Sequence, residues 1–172
     1  MKSIVLIGMP GSGKSTIGVV LAKIAQAVFV DTDILIQQQE GKLLQTIVDE
    51  IGCDNFINLE SKFLAAFVPE RFSVIATGGS AVYTEAAMNN LRNIGKTFYL
   101  QLPYEEVEKR INNISTRGLA MAKGKTLFDL YRERIPLYRK YADITIDCQN
   151  KTIEQIASEI LNLFKRDTNA YS

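Results

Sequence analysis

Residues 7 to 18 read IGMPGSGKSTIG. Gly8 is followed, after four residues, by Gly13-Lys14-Ser15, which is the spacing of a phosphate-binding loop. The flanks make the pattern specific. An apolar, β-rich segment, Ser3-Ile7, leads in, and a helical pattern leads out over Lys14-Ala27. Glycines at 8, 11 and 13 admit backbone angles closed to other residues. The main-chain N–H groups of Gly11, Ser12, Gly13, Lys14, Ser15 and Thr16 can then converge on phosphate oxygens at the positive end of the helix. Lys14 would reach the β and γ phosphates, and the Ser15 hydroxyl would ligate Mg²⁺. The expected ligand is a nucleoside triphosphate. The loop does not select the reaction, because hydrolysis, motor work, switching and small-molecule phosphorylation all use it.

The acceptor has to be read from other segments. The second β-rich segment ends in Val28-Phe29-Val30-Asp31-Thr32-Asp33. Residues two apart on an extended strand share a face, so Asp31 and Asp33 are expected to project together beside the loop. One carboxylate, assigned to Asp31, can steady the Mg²⁺ shell, and Asp33 can accept a hydroxyl proton. The third segment runs into Thr77-Gly78-Gly79-Ser80, where a glycine pair lets a ligand approach the backbone closely. Between two helical patterns lies a stretch, about 113–125, with two glycines and the cations Arg117, Lys123 and Lys125. It is expected to be a flap that brings Arg117 to the transferring phosphoryl group. Arg134, two residues before Pro136, is suited to a carboxylate.

Five strands are expected, at Ser3-Ile7, Val28-Val30, Ser73-Ala76, Thr97-Leu100 and Ile144-Ile146. Helices are expected at Lys14-Ala27, Tyr83-Asn93, Tyr104-Asn113 and Leu127-Tyr141, and from Thr152 onward behind a Thr152/Gln155 capping box. Two or three more helices are expected in an insert over about 34–70. The polar tail Arg166-Ser172 is expected to fray. This alternation implies one three-layer α/β domain over 1–172, a parallel sheet covered on both faces. A net charge of +1 gives no support to a nucleic-acid partner. No apolar run is long enough to span a membrane, and no signal peptide is read, so a cytoplasmic protein is expected. Two cysteines do not make a disulfide framework, and the lack of any histidine excludes a histidine base and the commonest zinc ligands.

Taken in order and at these spacings, IGMPGSGKSTIG, DTD, TGGSAV, RGLA and RIPLYRKYAD resemble the shikimate kinases. The resemblance covers residue 3 to about residue 160. It implies the P-loop kinase fold of nucleoside-monophosphate-kinase type, with sheet order 2-3-1-4-5. It also implies transfer from magnesium ATP to a ring hydroxyl of shikimate by a protein expected to be monomeric. By the same resemblance, Asp33 is the substrate-binding acid and base, and Gly78 and Gly79 form the turn against substrate. Arg117 is then the flap arginine, Arg134 the arginine for the acceptor carboxylate, and Arg110 the arginine that stacks on adenine.

The chain departs from the family at several positions. Phe56-Ile57-Asn58-Leu59-Glu60 has isoleucine where the family pattern Phe-Arg-x-x-Glu has a second carboxylate-binding arginine. Ser80 replaces a third glycine, Gly118-Leu119-Ala120 replaces Pro-Leu-Leu, and no proline follows the fifth strand. Lys62 or Arg71 could supply the missing cation. Otherwise the acceptor is a related polyol or hydroxy acid, of which gluconate would call for a histidine the chain lacks. A non-catalytic nucleotide-binding regulator is the remaining reading, opposed by the presence of Lys14, Ser15, Asp31, Asp33 and Arg117.

Overall fold

The computed structural model describes residues 2–112, 121 and 124–169. Five parallel strands form one sheet: β1 (Ser3–Ile7), β2 (Val28–Asp31), β3 (Ser73–Ala76), β4 (Gly95–Gln101) and β5 (Ile144–Asp147). Their order is β2-β3-β1-β4-β5. All five residues of β1 are buried, as expected for a central strand covered on both faces. The helices are α1 (Lys14–Ala25), α2 (Thr32–Glu40), α3 (Leu44–Ile51), α4 (Cys53–Ala66), α5 (Glu85–Ile94), α6 (Tyr104–Asn112), α7 (Leu127–Tyr141) and α8 (Ile153–Asn169). Helices α1 and α8 pack together, as do α4 and α5, and α5 lies against β1 and β4.

The topology fixes where a ligand can sit. The connection leaving β1 crosses β3 to reach β2, whereas the connection leaving β3 crosses β1 to reach β4. The crossovers depart in opposite directions, which opens a crevice at the carboxyl ends of β1 and β3. The loop after Ile7 and the Thr77-Gly78-Gly79 turn border that crevice. The expected insert is three helices, α2 to α4, with a small apolar core of its own formed by Ile36, Ile47, Val48 and Phe56.

Three local expectations are corrected. The segment expected as one helix from Tyr83 is a 3-10 turn, Ala81–Tyr83, followed by α5 from Glu85. Of the tail expected to fray, 166–169 continue α8, and 170–172 lie outside the described residues. Buried Phe164 and Ile160 anchor this last helix on the core, so the polar residues beyond them prolong a helix already packed. The third correction concerns Asp33. Strand β2 stops at Asp31, and Asp33 lies in the first turn of α2. The Asp31 carboxylate caps α2 by accepting from the Asp33 N–H at 3.0 Å. The two acids are neighbours through a helix cap, not through strand alternation.

Candidate active site

The phosphate loop has the geometry of an anion cradle. Gly13 occupies the left-handed region at φ 93°, where a side chain would be strained, and it starts α1. No side chain caps that amino end and its first turn carries no acid, so the helix presents its amides and positive pole to the crevice. The Lys14 ammonium folds over the loop and donates to the Gly8 and Met9 carbonyls at 2.8 and 2.9 Å. Arg110, from α6, lies along the outer side of the loop and reaches the Gly11 carbonyl at 3.5 Å. Ser12 is buried beneath the loop, while Thr16 is exposed on α1.

Asp31 and Asp33 face this cradle. One cavity of about 410 Å³ is lined by Gly11, Gly13, Lys14 and Ser15 on one side and by Asp31, Asp33, Thr77 and Gly79 on the other. The exposed side chains of Ile34 and Leu43 form its rim, with Gln37 and Gln45 beside them. The Ser15 hydroxyl donates to Asp31 at 2.7 Å. A hydroxyl and a carboxylate side by side under a phosphate cradle are a donor set for Mg²⁺, which takes few protein oxygens and completes its shell with phosphate and water. Among the described residues no cluster of three His, Cys, Asp or Glu side chains could hold a metal, so a caged zinc-type site has no support there.

Behind the Gly78-Gly79 turn the chain buries two charged side chains that the sequence reading did not connect. Glu60, from α4, is 1 % exposed and accepts a hydrogen bond from the Ser80 hydroxyl. Its carboxyl is pushed up to about 7, first by burial and then by the nearby Asp33 carboxylate, against the pull of Ser80, Arg134 and Lys14. A Cβ on Gly78 would lie 2.1 Å from a Glu60 oxygen and 2.7 Å from an Asp33 oxygen, so a side chain there would have to displace these two acids. A Cβ on Gly79 would meet Pro10 at 2.8 Å and the Arg134 guanidinium at 2.9 Å. Arg134, from α7, is 1 % exposed. Burial opposes its charge, but the oxygens of Tyr138, Tyr83 and Glu60 around it hold its proton more firmly than usual. Tyr138 donates to the Gly79 carbonyl at 2.6 Å and stacks on Tyr99, which ties the turn to the sheet.

The remaining candidates divide. Arg117 and most of the expected flap lie outside the described residues. Ile57 lines a second, smaller cavity with Cys53, Tyr83, Lys125 and Glu133. Neither cation suggested as a replacement is there. Lys62 lines an outer groove with Gln39, Asn55 and Phe63, and Arg71 precedes β3, at the end of the sheet opposite the crevice. Glu60, Ser80, Tyr83 and Tyr138 were missed as site residues. Phe56 and Glu60 fitting a family frame around Ile57 was the one signal that α4 contributes to this region.

A family model described as shikimate kinase matches residues 10–165. A shikimate kinase of Clostridium botulinum (strain Okra / Type B1) is 38 % identical over 169 residues, covering 96 % of this chain and 98 % of that one. A shikimate kinase of Thermodesulfovibrio yellowstonii is 32 % identical over 171 residues, 98 % of both chains. The structure of shikimate kinase from Acinetobacter baumannii in complex with shikimate superposes with a TM-score of 0.85 at 29 % identity, covering 97 % of this chain and 94 % of that one. A gluconokinase from Sinorhizobium meliloti shares the fold at 19 % identity and a TM-score of 0.60. With an intact phosphate loop set against an acidic pair, and with matches that run nearly its full length, the chain belongs to the shikimate kinase family of ATP-dependent phosphotransferases.

Proposed function

We propose that this protein transfers the γ-phosphoryl group of ATP to a ring hydroxyl of shikimate, giving shikimate 3-phosphate. The observation that carries this reading is the single cavity in which Lys14 and Ser15 face Asp31, Asp33 and Gly79. In this mechanism the acceptor hydroxyl attacks the γ-phosphorus. The new O–P bond forms as the bond to the β–γ bridging oxygen breaks, and ADP leaves. Asp33 takes the hydroxyl proton, and Lys14 holds the β and γ oxygens as charge shifts between them. Ser15 and Asp31 would hold Mg²⁺, which supplies charge neutralisation on the phosphates. Arg110 would flank the nucleotide and Arg117 would close on the transferring group. Arg134, behind Gly79, would read the acceptor carboxylate.

The reading treats 1–172 as one catalytic unit, with 34–70 as the acceptor-binding insert and 113–125 as the lid. It also takes the protein to be a cytoplasmic monomer. Among the described residues no helix is long and apolar enough to cross a membrane. A different hydroxy acid is the second reading, favoured by Ile57, which offers no charge to a carboxylate. ADP release measured with shikimate and with a panel of hydroxy acids and polyols decides between them. The highest kcat/KM is expected with shikimate, and a higher value for another acid would move the assignment to that acid.

A further inference from the structure

Recognition of an acid in a buried site depends on where its cation points. Among the described residues, the buried basic side chains are Lys14 and Arg134. Lys14 belongs to the phosphate loop, so the acceptor side relies on Arg134, with Ile57 adding no charge. Arg134 is held by Tyr83 in two ways. Its Nε donates to the Tyr83 hydroxyl at 3.1 Å, and its guanidinium carbon stands 5.0 Å from the centre of the Tyr83 ring. Beside Tyr83, in the same cavity wall, the Glu133 carboxylate pairs with Lys125. Tyr138, whose hydroxyl donates to the Gly79 carbonyl at 2.6 Å, lies near the same guanidinium. Tyr83 itself is fixed by the 3-10 turn, through its N–H to the Ser80 carbonyl at 3.0 Å. The next residue, Thr84, accepts from Ser61 of α4 at 2.6 Å.

We propose that Tyr83 is a positioning residue that sets acceptor specificity: its hydroxyl and ring aim the Arg134 guanidinium at the acceptor carboxylate, so that one arginine serves as the recognition element. A planar guanidinium binds a carboxylate strongly only when its fork is aligned. Tyr83 supplies that alignment through its hydroxyl and its ring. The inference rests on the acceptor being a carboxylic acid, as the proposed function has it.

The test compares Tyr83→Phe, which keeps the ring and drops the hydroxyl, with Tyr83→Leu, which drops both. Each is assayed with shikimate and with the uncharged primary amide of shikimate, after a thermal melt has shown that the variant folds. Tyr83→Phe is expected to raise KM for shikimate about three- to tenfold, with the KM for ATP unchanged and the KM for the amide unmoved. Tyr83→Leu is expected to raise KM for shikimate further. A parallel rise for acid and amide, a rise in the KM for ATP, or no change in either variant would overturn the assignment. Wild-type turnover of shikimate is read separately, and its absence would count against the proposed function instead. The Tyr83 role is then read from the calorimetric Kd for shikimate, where an unchanged value in Tyr83→Phe overturns it.

Discussion

In the proposed function, the nucleotide side and the acceptor side of the crevice are built by different means. The phosphate cradle is local: six residues between β1 and α1, shaped by glycine and by one helix terminus, place Lys14 and Ser15. The acceptor side is assembled from parts far apart in the chain. Asp33 comes from α2, Glu60 and Ile57 from α4, Gly79 from the turn after β3, Tyr83 from the 3-10 turn, and Arg134 from α7. The local half tolerates little change, because its backbone shape is its function. The assembled half can exchange one contact for another, and here isoleucine stands on α4 while Arg134 is held by Tyr83 and Glu60 is tied to Ser80.

The largest effect should come from the local half. Lys14→Ala is expected to lower kcat by about 100-fold or more, since a buried charge on the transferring phosphates is lost. Steady-state ADP release checks this, and near-wild-type turnover would break the contrast at its stronger end. On the assembled side, Arg134→Ala is expected to raise KM for shikimate by about ten- to a hundredfold while the KM for ATP stays constant, from the loss of one charge-assisted contact. Equal changes in both constants would show that the two halves are not separable. A smaller effect is expected from Ile57→Arg, whose new cation joins a cavity that already holds Lys125, Asp54 and Glu133. A severalfold gain in kcat/KM for shikimate would mark the missing charge as a limiting defect. No gain would mean that Arg134, held by Tyr83, already suffices.

The last prediction concerns stability. The Glu60 carboxyl is pushed from 4.5 to about 7 in the fold, so the folded protein holds a proton that the unfolded chain releases. That contribution is fully present below about pH 4.5 and is lost as the pH rises through about 7. Chemical denaturation at pH 5 and pH 8 should show a fall on the order of a few kcal/mol from this group. Glu60→Gln should flatten the difference, and an unchanged pH dependence in that variant would assign the effect elsewhere.

How much of this was legible in the sequence follows the same division. The phosphate loop could be read because its glycines, lysine and serine sit at fixed local offsets between a strand and a helix. Asp31 and Asp33 do line one cavity with the phosphate loop, but not for the reason the strand pattern suggests. Alternation on a strand was assumed, and the side chain of Asp31 ends that strand by capping α2. Periodicity located each strand to within one or two residues, but the sheet order came from family likeness, because no local pattern encodes which strands are neighbours. The Glu60–Ser80 bond and the Arg134–Tyr83 bond join residues 20 and 51 positions apart. Such pairings depend on how helices stack, and spacing along the chain carries no trace of them.

The central claim is that Asp33 serves the acceptor while the cradle around Lys14 serves the nucleotide, within one cavity. Asp33→Asn tests it most directly, with ATP affinity measured by calorimetry and phosphoryl transfer to shikimate measured by coupled ADP release. The account predicts an ATP Kd within about twofold of wild type, together with a loss of transfer of at least about 100-fold. Weakened ATP binding, or transfer at the wild-type rate, would contradict it.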